Sequence, residues 1–134
     1  MLSALLLSIS IVALSQFAVF YGRAVLAGVA AQPVSDRVLV AAQVENGRFT
    51  AQDFQTLAGL HDLTLELHPS RNGLGLVRSY YRAIEGLDAF LGKAFPAIAM
   101  WSERERVMCA QYAAVQVDRR LHANLEFAAS MRSC

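Results

Sequence analysis

Charged side chains are absent from the first 22 residues of this 134-residue chain, and Arg23 carries the first ionic group. Charged residues make up 17% of the whole chain and hydrophobic residues 55%, against about 25% and about 45–50% in typical soluble domains. An uncharged segment of this length can cross a bilayer as one helix. Because it also lacks the ionisable groups that build proton relays and ion paths, those roles are excluded for the segment itself.

Cysteine is scarce, with only Cys109 and Cys134 in the sequence. On one continuous helix the two residues would lie roughly 37 Å apart, whereas a disulfide requires Cα atoms within about 7 Å. We therefore expect no bridge within the chain and free thiols, which suit a reducing compartment; a bridge between molecules through Cys134 stays open. The apolar helical surroundings of Cys109 predict a buried, unreactive thiol.

Strong charge imbalance and catalytic motifs are also missing. Twelve Lys and Arg stand against 11 Asp and Glu, which argues against nucleic acid as a partner. The sequence has no Cys-x-x-Cys, haem attachment box, Walker loop or Gly-x-Ser-x-Gly. These absences favour a non-catalytic protein without a cofactor. All basic residues except Lys93 are Arg, and together with the high Ala content this indicates a GC-rich bacterial gene.

The segment from residue 2 to residue 22 has the properties of a membrane anchor. It contains 11 Leu, Ile, Val and Phe residues, which favour insertion by roughly 3–6 kcal/mol. Tyr21 and Arg23 follow, where an interfacial aromatic ring and a snorkelling cation belong. A cleaved signal peptide and a buried helix of a soluble oligomer are the alternatives. A signal peptide is disfavoured because the segment lacks a basic beginning and exceeds the usual apolar length.

Small residues recur along one side of the same segment and predict a face on which a partner helix could dock. Small side chains allow close backbone approach, which is how transmembrane helices pack. The alternative is that an Ala-rich chain produces such a stripe by chance. The predicted docking face consists of Ala4, Ser8, Ser15, Ala18 and Gly22.

The remaining sequence predicts helices and no sheet, so the expected fold class is all-α. Pro33 disfavours helical geometry at Gln32, which divides the chain into an anchor with its extension (1–31) and a helical extramembrane domain (32–134). Asn46-Gly47 is a turn signal, and Thr50–Asp53 resembles a capping box. That box would start a short helix whose inward face is Phe54, Leu57 and Ala58.

Two longer helices are predicted by their apolar spacing, and they are expected to form an antiparallel hairpin around Phe95-Pro96. The first has an amphipathic stripe at steps of three and four residues, formed by Val77, Tyr80, Ile84, Leu87 and Leu91. The second runs from about Ala97 to Met131 and would be near 50 Å long. Its stripe is Val107, Ala110, Ala114, Val117, Leu121, Leu125 and Ala128, and its polar face carries Glu103, Arg106, Arg120 and Asn124.

Two groups of polar residues are weak candidates for metal ligation. His61 and His68 lie in an irregular polar region, and Asp118, His122 and Glu126 share one helix face at four-residue intervals. His and carboxylate side chains ligate Zn and Fe. However, the Glu-x-x-His pairing of di-iron bundles is missing, and a solvated helix edge explains the second group equally simply.

These observations predict a non-catalytic single-pass membrane protein that serves as an accessory, assembly or interaction subunit. Its expected partners are the lipid bilayer and other membrane subunits that contact the N-terminal helix. The alternatives are a self-associating helical protein, which would form homo-oligomers by packing its N-terminal helices against each other, and a small metal-dependent enzyme or metal-binding protein. Arg23 and Arg37 follow the span, so the positive-inside rule favours the bacterial inner membrane with a cytoplasmic C-terminal domain.

Overall fold

The computed structural model describes residues 1–64 and 73–134, which form five α helices and one 3₁₀ turn and contain no strand. The predicted all-α class is therefore confirmed. The helices are α1 (Leu2–Ala30), α2 (Asp36–Ala41), α3 (Asp53–Leu63), α4 (Gly73–Leu91) and α5 (Pro96–Arg132), and the 3₁₀ turn is Glu45–Gly47. His68 lies outside the described residues.

The first helix runs past the uncharged segment and ends where proline stops it. Ala31 closes α1, and Ser35 adopts an extended conformation before α2 begins. This break surrounds Gln32 and Pro33, as predicted from the restriction that proline places on the preceding residue. Leu26 near the end of α1 packs in the domain core, so the helix enters the domain before it breaks.

The short helix α3 begins at the predicted capping sequence. The backbone N–H of Thr50 donates to Asp53 Oδ2 at 2.7 Å, which is the reciprocal half of a capping box. The predicted inward face is confirmed, because Phe54, Leu57 and Ala58 are all buried. Phe54 also stacks on Tyr81 of α4, with ring centroids 4.3 Å apart.

Helices α4 and α5 form the predicted antiparallel hairpin. Near its turn, Arg106 Nη2 of α5 lies 3.1 Å from Asp88 Oδ2 of α4. Pro96 occupies the first turn of α5, where its missing N–H costs nothing. Leu87 was expected to face the core but is 43% exposed. The reason is that it lies towards the turn, beyond the buried cluster that Tyr81 and Ile84 help to fill.

The long helix α5 is the centre of the domain, because each of the other four helices packs against it. Its buried surface runs from Ser102 to Val117. The predicted apolar stripe continues too far, since Leu125 is 50% exposed and Ala128 is also exposed. This end of α5 extends past the helices that cover the rest. Arg106, expected on the solvent face, is instead largely enclosed by the hairpin.

Candidate functional site where the first helix joins the domain

A buried carboxylate joins α1 to the domain. Glu105 of α5 is only 1% exposed, and both of its carboxylate oxygens have partners. Arg23 Nη2 of α1 donates to Oε1, and the Tyr80 hydroxyl of α4 donates to Oε2 at 2.8 Å. A buried charge is tolerated when it is paired and hydrogen-bonded in this way. The junction therefore connects three helices through one side chain.

The groups around Glu105 are held in their protonated forms. Burial, followed by the hydrogen bond to Glu105, raises the pKa of Tyr80 far above its usual value. Burial, with a smaller contribution from the Glu105 charge, raises the pKa of the Cys109 thiol to about 12. Neither group titrates near neutral pH, so neither is suited to general acid–base or thiolate chemistry. The arrangement is suited to holding the three helices together.

A second set of contacts fixes the chain just after α1. The Ser35 hydroxyl donates to Asp118 Oδ1 of α5, and Arg119 Nη2 donates to Gln32 Oε1 at 2.7 Å. Gln32 follows Arg23 in the chain, and its partner Arg119 likewise follows Glu105 along α5. Helix α1 therefore runs in the same sense as α5, held at two separate levels.

An apolar groove of about 500 Å³ lies beside this junction, between α1 and α4. Leu76 of α4 is 80% exposed at its edge, and a Cβ atom added at Gly22 would meet nothing within 4 Å. The groove brings part of the predicted docking face together with the domain. Its lining residues are Ala18, Val19, Gly22, Arg23, Leu26, Leu76, Val77 and Tyr80.

All five residues of the predicted docking face lie on α1 and are exposed. Ala18 and Gly22 line the groove, whereas the other three lie nearer the start of the helix. The hydroxyls of Ser8 and Ser15 donate to the carbonyls of Ala4 and Ile11 within α1, at 2.9 and 2.7 Å. The serines therefore present little unsatisfied polarity, and the face stays a prediction that awaits a partner.

The first histidine candidate is a buried side chain of α3, so its predicted place in an irregular region is wrong, because α3 continues to Leu63. His61 is 7% exposed, and its Nδ1 has no hydrogen-bond partner, the Asp62 Oδ1 atom being 3.7 Å away. Burial lowers the pKa of His61, and the nearby Arg120 charge lowers it further. The ring is therefore neutral at physiological pH, and its nearest charged neighbours are Asp62, Arg120 and Arg78.

The second candidate group, Asp118, His122 and Glu126, lies on α5 as predicted, and two of its members already make contacts with nearby residues. Asp118 accepts the Ser35 hydroxyl, His122 Nδ1 lies 3.1 Å from the Asp118 backbone carbonyl, and Glu126 is exposed. Within residues 1–64 and 73–134, no three His, Cys, Asp or Glu side chains come together as a metal site would require.

The sequence reasoning overlooked Glu105, although a signal for it was present. The buried residues Cys109, Ala113 and Val117 follow Glu105 at four-residue steps on α5. Because residues four apart share one helix face, extending this spacing backwards places Glu105 on the buried side. A carboxylate at such a position requires a cationic or donor partner, and Arg23 supplies it.

Comparison with known proteins gives no relative from which a function could be transferred. No family model matches the chain, and neither a curated protein nor a solved structure shows significant similarity to it.

Proposed function

We propose that this chain is a non-catalytic single-pass membrane protein that serves as an accessory or assembly subunit of a larger membrane complex. The observation that carries the proposal is the combination of an exposed apolar helix with a charged contact that joins it to a packed domain. The apolar helix supplies the anchor, and the Arg23–Glu105 contact makes the anchor a continuation of the domain.

The first support is the surface of α1. Its most apolar 18-residue window has a mean hydropathy of 2.1 and is 0% buried within the domain. At 1.5 Å per residue, the 29 residues of α1 extend about 43 Å, more than the roughly 30 Å of a hydrocarbon core. Such a surface is costly in water, and large exposed apolar patches mark contacts with proteins or membranes. The domain buries Leu26 near the end of α1 but none of this window, so a bilayer or another protein is the proposed cover for the window.

The second support is the fixed orientation of α1 at the domain. A mobile tether would need no contacts beyond its point of attachment, yet α1 is held by Arg23 and the following chain by Gln32 and Ser35. A fixed helix with small residues facing outwards is suited to positioning a partner helix relative to the domain. Other membrane subunits are therefore the proposed partners, contacting α1 along its small-residue face.

A catalytic role receives less support than an interaction role. The buried polar groups at the junction are paired with one another, and Tyr80 and Cys109 remain protonated at neutral pH. We propose the bacterial inner membrane as the location, with the domain in the cytoplasm, because Arg23 and Arg37 follow the span.

Alkaline carbonate extraction, native co-purification and protease protection test these proposals separately. We expect the chain to stay with membranes at high pH and to co-purify with defined membrane proteins in mild detergent. Release into the soluble fraction would overturn the anchor. Purification without other proteins would overturn the accessory role. Digestion of the domain from outside intact spheroplasts would overturn the cytoplasmic orientation.

Self-association is the second candidate function, and the far end of α5 is the observation that favours it. Beyond the core, Leu125 is 50% and Met131 68% exposed, and a helix with apolar residues facing outwards can pair with a second copy. Sedimentation of the purified chain in mild detergent discriminates the two functions. A self-associating protein stays oligomeric when alone, whereas an accessory subunit becomes monomeric without its partners.

A further inference from the structure

The turn that joins α4 to α5 is apolar and exposed. Residues 89–102 contain one charged side chain, Lys93. Phe90 is 83% exposed, Phe95 54% and Met100 63%. We name residues 90–101 the hairpin tip. The tip presents large apolar side chains outwards, although α5 offers a packed core only a few residues away.

The hairpin tip lies on the side of the domain towards which α1 extends. The Arg23–Glu105 contact precedes the Gln32–Arg119 contact along both α1 and α5, so the two helices run in the same sense. The beginning of α5 is therefore directed the same way as the beginning of α1. Because the tip includes the beginning of α5, it is displaced from the junction towards the apolar part of α1.

The tip extends far enough from Glu105 to contact a bilayer that α1 spans. At 1.5 Å per residue, Trp101 lies about 6 Å before Glu105 along α5, and Phe95 about 15 Å before it. Arg23, which contacts Glu105, is the first charged residue of α1 and marks the boundary of the proposed span. These distances run along α5, so the tip extends from the level of Arg23 in the direction that α1 takes away from the domain.

Several backbone N–H groups of the tip donate hydrogen bonds within the chain, which suits an environment with little water. The N–H groups of Gly92 and Phe95 donate to the carbonyls of Asp88 and Leu91 at 2.8 and 2.9 Å, and Ala94 also donates to Leu91. Pro96 carries no N–H. Non-helical backbone is costly in hydrocarbon unless its polar groups are satisfied internally, and these bonds meet much of that requirement.

We propose that the hairpin tip inserts as a shallow apolar wedge into the same bilayer that α1 spans, so that the protein contacts the membrane at two places. The occupant of the exposed surface is lipid, with Phe90, Phe95 and Met100 among the upper acyl chains and Trp101 at the interface. Lys93 would extend its ammonium group to anionic headgroups. This inference rests on the proposed membrane anchor, but it adds a second contact that the anchor alone does not require.

Trp101 is the only tryptophan of the chain and supplies the test. The full-length protein is reconstituted into phosphatidylcholine–phosphatidylglycerol vesicles with and without brominated acyl chains, which quench nearby indoles. Two control proteins carry Trp101→Phe and a new tryptophan, either Phe17→Trp within the proposed span or Leu125→Trp at the exposed far end of α5. Leu125 lies about 36 Å from Trp101 along the helix.

We expect brominated lipid to quench Trp101 to an extent comparable with Phe17→Trp, and to leave Leu125→Trp unquenched. Quenching of Phe17→Trp without quenching of Trp101 would overturn the wedge and keep the anchor. Loss of quenching at both positions would overturn the anchor and the wedge together. A Trp101 emission that is blue-shifted but unquenched would show that protein rather than lipid surrounds this half-buried ring, and would also overturn the wedge.

Discussion

Arg23 and Glu105, separated by 82 positions in the chain, form the contact that determines how the first helix meets the domain. Their side chains differ greatly in environment, with 46% of Arg23 but only 1% of Glu105 exposed. The carboxylate therefore depends on the guanidinium and on the Tyr80 hydroxyl for its solvation. Loss of either partner leaves a buried charge that water reaches poorly.

A double-mutant cycle tests this dependence. Arg23→Met removes the guanidinium and should lower the free energy of unfolding by about 1–3 kcal/mol, the penalty for leaving a buried polar group without its partner. Glu105→Gln retains an acceptor for Tyr80 and removes the charge that Arg23 satisfies. We expect the double variant to lose less stability than the two single losses combined. The measurement is denaturant unfolding in mild detergent, and strictly additive losses would contradict coupling.

If α1 spans a bilayer as proposed, one charged residue at its centre should strongly weaken membrane insertion. Val12 lies in the middle of the uncharged segment, and Val12→Arg should oppose insertion by about 3 kcal/mol. Carbonate extraction should then release a substantial fraction of the variant. Val40→Arg is the matched control, because Val40 is 77% exposed but lies beyond α1. Equal retention of both variants would be incompatible with a spanning role for α1.

The two cysteine thiols should react with maleimides at very different rates at pH 7. Cys109 is buried, and burial raises the pKa of its thiol to about 12. Cys134 is exposed. We expect one fast-reacting thiol in the folded protein, which Cys134→Ser abolishes, and a second that reacts only after denaturation. Mass spectrometry of the labelled protein counts the adducts. Rapid labelling of Cys109 in the folded Cys134→Ser variant would show that α5 opens more readily than its packing indicates.

His61 should make stability depend on pH on the acidic side of neutrality. Burial lowers its pKa below the ordinary value of 6.5, so the unfolded chain binds a proton more readily than the folded one. Stability is therefore fully present above pH 6.5 and is lost as the pH falls towards the folded-state pKa. The slope can reach about 1.4 kcal/mol per pH unit, the limit for one proton.

Unfolding curves between pH 7.5 and 5 provide the measurement. His61→Gln should flatten the profile, because the variant lacks the buried imidazole whose pKa is lowered. Asp62 opposes the effect at His61, and Arg120 and Arg78 strengthen it. An unchanged slope in His61→Gln would mean that other groups govern the acid response.

Local sequence signals predicted several of the helix boundaries. The break around Gln32–Pro33 and the start of α3 depend on neighbouring residues, and both were predicted correctly because proline geometry and capping act over a few positions. The antiparallel pairing of α4 and α5 followed from the short link between two amphipathic segments.

Features that depend on distant contacts were harder to predict. The burial of Glu105 depends on Arg23 of another helix, and periodicity in one segment does not reveal such a partner. Leu87 and Leu125 continue apolar stripes past the point where other helices cover them. The direction of α1 relative to α5 likewise requires pairs of residues more than 80 positions apart. The predicted docking face of α1 remains a prediction.

The central position of α5 has a consequence for the order of events during synthesis. Each of the four helices that precede α5 in the chain packs on it, so α5 leaves the ribosome after all of them. The apolar α1 therefore emerges while its partner Glu105 is still untranslated. If α1 spans a membrane as proposed, its targeting would be separated in time from domain folding. The contact between Arg23 and Glu105 can form only after α5 has been synthesised.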